Sequence, residues 1–130
     1  MARRKLFKGK SLEELQALSL EEFKALVDSR ARRFLNRNNK RLKKLLAKVE
    51  RAKKAGKDEL IKTHVREAVV LPSWVGLKFG VHNGKEFKII VITSDMIGRR
   101  LGEFSHSTGR VLHSGPGVGA TRGSKFIPLK

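Results

Sequence analysis

The sequence has no cysteine, no tyrosine, one tryptophan and three prolines, and it has few acids: 12 Asp and Glu against 30 Lys and Arg in 130 residues. Each shortage excludes something. Without cysteine there is no disulfide scaffold and no thiolate site for zinc or redox chemistry. The composition suits a reducing compartment. No apolar run approaches the roughly 18 residues of a membrane-spanning helix. The basic start Met1-Ala-Arg-Arg-Lys5 leads into no apolar stretch, so no secretory signal is expected. His64, His82, His106 and His113 are scattered without metal-ligand spacing, and the acids form no catalytic pair. The expectation is a protein with no cofactor, no metal and no catalysis.

What is present is positive charge, +18 in all. An excess of one sign repels itself in a compact monomer and points to a polyanionic partner. The charge is unevenly spread. Residues 1–28 carry six basic and five acidic residues, whereas residues 29–57 carry thirteen basic residues against Glu50 alone. Solvated helix faces usually mix signs, and this one does not. Each phosphate such a segment neutralises releases condensed counterions, which gives strong, salt-dependent nucleic-acid affinity. After Glu103 no acid follows, and the tail adds further cations.

Along the chain, residues 1–10 lack periodicity and read as a flexible basic arm. An internal echo follows, Ser11-Leu-Glu-Glu14 and Ser19-Leu-Glu-Glu22, each with Ser three residues before Glu. That spacing is a capping box, and it predicts two short helices joined at Ser19. Residues 29–37 can continue as helix. Leu42, Leu45, Leu46 and Val49 then recur at amphipathic-helix spacing, which predicts a helix over 38–55 with a cationic back and Gly56 as its C-cap. From Ile61 the pattern alternates, predicting a strand that runs to Pro72, with a bulge near Glu67. Leu77, Phe79 and Val81 form a second strand and 87–92 a third, and Asn83-Gly84 between them predicts a type I′ hairpin. A single helical turn over 95–97 is capped by Thr93 or Ser94 and closed by Gly98.

Three units result: a basic helical N-terminal extension over 1–57, including the helix that packs on the sheet; a sheet core over 58–104; and an extended Gly-rich basic tail over 105–130. Phe79 and Phe87 suit the core. Trp74 suits either a core cap or a partner contact, and Phe104 and Phe126 are candidates for stacking on bases. In the Gly-rich tail Gly115, Gly117 and Ala120 match a dinucleotide-type pattern, but by the sequence pattern no strand precedes them and no helix follows. Three rivals remain open. One is a free-standing basic regulator, although no helix-turn-helix, RNA-recognition or KH signature supports it. Another is an RNA-processing enzyme using a pair such as His64 and His82. The last is an anionic-membrane or calmodulin binder through 38–55.

An ordered set of motifs adds a resemblance. Ile61-Lys-Thr-His64, Leu71-Pro72, Val75-Gly76, Val81-His-Asn-Gly-Lys85, Met96-Ile-Gly98 and Leu101-Gly-Glu-Phe104 together resemble the small-subunit ribosomal protein nineteen family. Ser29-Arg-Ala-Arg-Arg33, Leu35-Asn-Arg37 and Gly117-Val-Gly-Ala-Thr-Arg122 resemble its archaeal and eukaryotic branch, and an archaeal member in particular. The resemblance implies an α+β fold, with a helix packed on a small three-stranded mixed sheet. It implies a cytoplasmic, ribosome-bound structural constituent of the small subunit. Its implied partners are the 3′ major domain of the small-subunit rRNA in the head, ribosomal protein thirteen, and tRNA approached by the C-terminal tail.

The residues expected to meet RNA follow from the charge map and the alternation. They are Arg3 and Arg4 in the arm, and Arg30, Arg32, Arg33, Arg37, Lys40, Arg41, Lys43, Lys44, Lys48, Arg51 and Lys54 in the cationic segment. Lys62, His64 and Arg66 share one face of the first strand, while Ile61, Thr63 and Val65 face the helix. Lys85, Arg99 and Arg100 extend the surface at the hairpin and turn, and Arg110, His113, Arg122 and Lys125 do so in the tail.

Overall fold

The computed structural model describes residues 6–37, 39–56 and 59–110. Four helices come first: α1 (Leu12–Ala17), α2 (Leu20–Leu26), α3 (Ser29–Asn36) and α4 (Lys40–Ala55). Three strands follow, β1 (Leu60–Thr63), β2 (Lys78–His82) and β3 (Phe87–Val91), in the spatial order β1-β2-β3. β1 and β2 run parallel and β2 and β3 antiparallel. This is the α+β arrangement of helix on mixed sheet expected from the sequence.

The helix starts are set locally. At both Ser11 and Ser19 the full capping box forms, with the Ser oxygen accepting from the Glu backbone and the Glu carboxylate from the Ser backbone. At Ser19 the backbone N–H and the hydroxyl both donate to Glu22 at 2.9 Å. These bonds, the backbone one foremost, hold the Glu22 carboxyl below its ordinary 4.5. A folded value below the unfolded one means the contribution is present above about pH 4.5 and is lost as pH falls through the folded value. In an NMR titration Ser19→Ala, which keeps the backbone donor and removes the hydroxyl, should raise the Glu22 midpoint only part of the way to its ordinary value; an unchanged midpoint would show that the hydroxyl bond contributes nothing.

α4 buries Leu42, Leu45, Val49 and Ala52 along one stripe. Asn39 caps it by accepting from the Arg41 N–H, and Gly56 ends it at φ 136°. A single core cluster joins α1, α2, α3, α4 and the sheet, from Leu15 and Phe23 through Val49 and Phe79 to Leu101. Trp74 lies in it, 1% exposed, with its ring 5.1 Å from that of Phe79, so it is core and not a partner contact.

Phe87, expected in the core, is instead half-buried outside it, and three expectations about the course of the backbone also differ from the structure. The first strand stops at Thr63 instead of running to Pro72. The parallel partner β2 has to be reached by a crossover, and residues 64–77, with one 3₁₀ turn at Pro72–Trp74, form it without an α-helix. Its middle, Ala68, Val69 and Val70, is fully buried and pairs with 98–101 through Val70 N–H to Arg99 (2.8 Å) and Leu101 N–H to Ala68 (2.9 Å). The hairpin is not type I′, because Asn83 keeps negative φ. Instead its side-chain oxygen accepts from the N–H groups of Lys85 (2.9 Å) and Glu86 (2.8 Å), taking the place of its own carbonyl. Finally, residues 7–10 are not a free arm. Phe7 and Lys10 exchange two 3.0 Å backbone bonds, and the Phe7 ring lies against Phe23 and over Gly98. A Cβ at Gly98 would come within 3.0 Å of that ring, and φ there is +79°, so glycine is required twice over. The predicted tail beyond Arg110 lies outside the described residues.

Candidate nucleic-acid interface

The cationic segment becomes two exposed helix faces. Arg30, Arg32, Arg33 and Arg37 on or beside α3, and Lys40, Arg41, Lys43, Lys44, Lys48, Arg51 and Lys54 on α4, are all exposed. The apolar stripe of each helix faces the core, so the cations have only the outer surface to occupy. α4 has no acid in its first turn and carries Lys40 and Arg41 there. Cations are disfavoured at that end of the helix dipole, which α1 and α2 respect with acids. The start of α4 thus carries positive charge that no acid of its first turn offsets.

The parallel pairing of β1 brings a second set of groups to this surface. Ile61 and Thr63 are buried toward the core and Lys62 and His64 are exposed, as alternation predicts. An open groove between α4 and β1 is lined by Arg41, Lys44, Leu45, Lys48, Lys62, Thr63, His64 and Val65. Four cations and an imidazole from two separate elements thus converge on one shallow concavity with apolar walls. Such a shape focuses positive potential.

Not every expected contact residue is available in the same way. Arg66 leaves the β1 face, because the strand has ended and 66–67 form a turn. Its guanidinium donates to the carbonyls of His82 (2.7 Å), Gly102 (3.0 Å) and Ser105. Arg32 donates to the carbonyls of Lys24 (2.9 Å), Ala25 (3.2 Å) and Val27 (3.3 Å), satisfying the orphan acceptors at the end of α2. Lys48 reaches the Lys62 carbonyl at 2.6 Å and ties α4 to the sheet edge. Charge counting cannot separate these fold-holding cations from the rest; only the position of the carbonyls does. Lys85 stands exposed in the 83–86 loop, and Arg99, exposed, pairs with Glu103 at 3.4 Å. Arg100 is half-buried beside Val69, and Arg110 is exposed. Arg3, Arg4, His113, Arg122, Lys125 and Phe126 lie outside the described residues.

The pair His64 and His82, named above only as a catalytic alternative, belongs to a ring cluster that the sequence did not indicate. The rings of His64 and His82 lie 4.5 Å apart at 31°, and Phe87 stands nearly perpendicular to both, at 5.1 and 4.8 Å. The Lys62 ammonium sits 5.6 Å from the Phe87 centroid. The signal in the sequence is period-two spacing within each strand. The register that sets Thr63 beside Val81, and His82 opposite Phe87, belongs to the sheet.

Among the described residues, no helix is long and apolar enough to cross a membrane. A family model for ribosomal protein S19 matches residues 33–113. The chain is 45% identical over 129 residues to the small ribosomal subunit protein uS19 of Methanococcus maripaludis, the alignment covering 95% of this chain and 80% of that one. It is 50% identical over 125 residues to the small ribosomal subunit protein uS19 of Thermoplasma volcanium, with the same two coverages.

Proposed function

Because this chain belongs to the ribosomal protein S19 family, we propose that its α3–α4 surface and the groove beside β1 bind ribosomal RNA. Members of the family are structural components of the small ribosomal subunit, and the chain is accordingly part of the ribonucleoprotein that carries out translation and not an enzyme. The observation that carries the RNA reading is the one-signed surface itself: thirteen basic residues against Glu50 over 29–57, of which the twelve among the described residues are exposed on or beside two helices, with four cations and an imidazole meeting at the groove. A-form RNA offers closely spaced phosphates and little base edge to such a face, so recognition there rests on shape and backbone.

The finer placement belongs to the same proposal. The RNA is the 3′ major domain of the small-subunit rRNA, in the head. The opposite side of the molecule suits a protein. Residues 1–28 are nearly neutral. Between α1–α2 and α4 runs an apolar groove walled by Leu18, Leu20, Leu46 and Leu71, with Leu20 exposed. These features support ribosomal protein thirteen as the neighbour there, and the acid-free tail supports an approach to tRNA.

Sedimentation of a native lysate tests the reading. The protein should travel with small subunits and stay with them through moderate salt. Recovery only at the top of the gradient, at low salt, would contradict the proposal.

A further inference from the structure

Among the described residues, no helix packs on the outer face of the sheet. α4 packs on the face made by Ile61, Thr63, Phe79 and Val81, all buried. The other face carries Lys62, Gly80, Phe87, Ile89 and Val91 by alternation and register. Ile89 is 63% exposed and Val91 50%. At the head of this apolar strip stands the ring cluster of His64, His82 and Phe87. His64 is exposed and rests on His82. The His82 Nδ1 accepts from the Gly84 N–H at 3.0 Å, which fixes that ring in orientation.

We propose that this cluster is a stacking platform for an unpaired RNA nucleobase. The inference rests on the RNA-binding reading and adds to it a base, where that reading needed only phosphates. Three observations choose the occupant. Two heteroaromatic rings and a phenyl ring are held together at a solvent-facing edge, and such groups stack on bases of any sequence. The Lys62 ammonium over Phe87 supplies a cation where the phosphate of a stacked nucleoside would lie. His64 and Lys62 also line the cationic groove against α4, so the platform is continuous with the phosphate-binding surface. Gly80 keeps the face low: a Cβ there would stand 3.3 Å from Lys62 Cγ and 3.6 Å from Leu60. An RNA strand leaving the α4 groove thus meets a flat aromatic step, where a base can turn in from the backbone.

Binding of the full chain to two octamers tests this, one of riboadenylate and one of abasic ribose phosphate, at about 0.2 M salt to weaken phosphate-only binding. The base-bearing octamer should bind more tightly by about 5- to 150-fold, the range for one stacked base. His64→Ala should remove most of that margin, weakening binding of the base-bearing octamer far more than that of the abasic one. His64→Phe should keep it, and Phe87→Leu, which preserves apolar volume, should reduce it. A 2-aminopurine in the octamer should be quenched by the native chain and much less by His64→Ala. Equal binding of the two octamers would overturn the platform while leaving the RNA-binding reading intact, and would direct this face to a protein. Failure of both to bind at low salt would overturn the RNA-binding reading and the platform with it.

Discussion

Replacing Arg66 with alanine should destabilise the protein by about 3 kcal/mol, read as a lowered urea midpoint with an unchanged slope. The guanidinium joins three carbonyls from three places in the chain: His82 at the end of β2, Gly102 in the 3₁₀ turn Leu101–Phe104, and Ser105 beyond it. Bonds from a charged donor contribute about 1.5–3 kcal/mol each when well made. These are partly shielded, and some of the freed carbonyls would regain water, so the total falls below their sum. The neighbourhood is tight as well. The Arg66 carbonyl accepts from the Gly102 N–H at 2.8 Å, and a Cβ on Gly102 would come within 3.0 Å of that carbonyl. Ser105, fully buried, donates its hydroxyl to the Val81 carbonyl at 3.2 Å. Arg66→Lys should recover little, since an ammonium cannot span the fork. A loss under 1 kcal/mol for Arg66→Ala would show that the clamp contributes little and that Arg66 serves chiefly at the surface.

The second large effect concerns binding. Neutralising Arg41, Lys44 and Arg51 together, each to glutamine, should reduce the salt dependence of RNA affinity by about two to three units of log K per log salt. At low salt this amounts to a loss of several orders of magnitude in affinity. Each side chain is exposed, each lies on α4 away from its buried stripe of Leu42, Leu45, Val49 and Ala52, and glutamine is a comparable helix former. Thermal stability should therefore hold, or rise as self-repulsion falls. Arg32 and Lys48 are excluded from this set on purpose. Their donors are engaged with backbone carbonyls, and their replacement would mix folding with binding. A salt slope unchanged in the triple variant would place the RNA elsewhere on the molecule.

The contrast between Arg66 and Arg41 shows where reading the chain reached its limit. Both are arginines in a basic stretch, and alternation put Arg66 on the same face as Lys62 and His64. The alternation holds for as long as the strand does, and β1 ends at Thr63. What ends it is the need to cross over to a parallel neighbour, and neither residue 66 nor its flanks record that. The hairpin gave a smaller version of the same lesson. Asn83-Gly84 does mark the turn, but the asparagine side chain closes it by a route that avoids positive φ.

The sequence by itself determined whatever depends on neighbours a few residues apart. The capping boxes at Ser11 and Ser19, the buried stripe of α4, its glycine stop and the concentration of charge over 29–57 are all local facts, and the family motifs are local strings. Only the tertiary structure decided which of the cations bind carbonyls and which face outward, because that depends on where the ends of α2 and β2 lie in space. It also decided that His64, His82 and Phe87 form one cluster. Those three residues are separated along the chain and meet only through the β1-β2-β3 register, a long-range pairing that short-range periodicity does not encode.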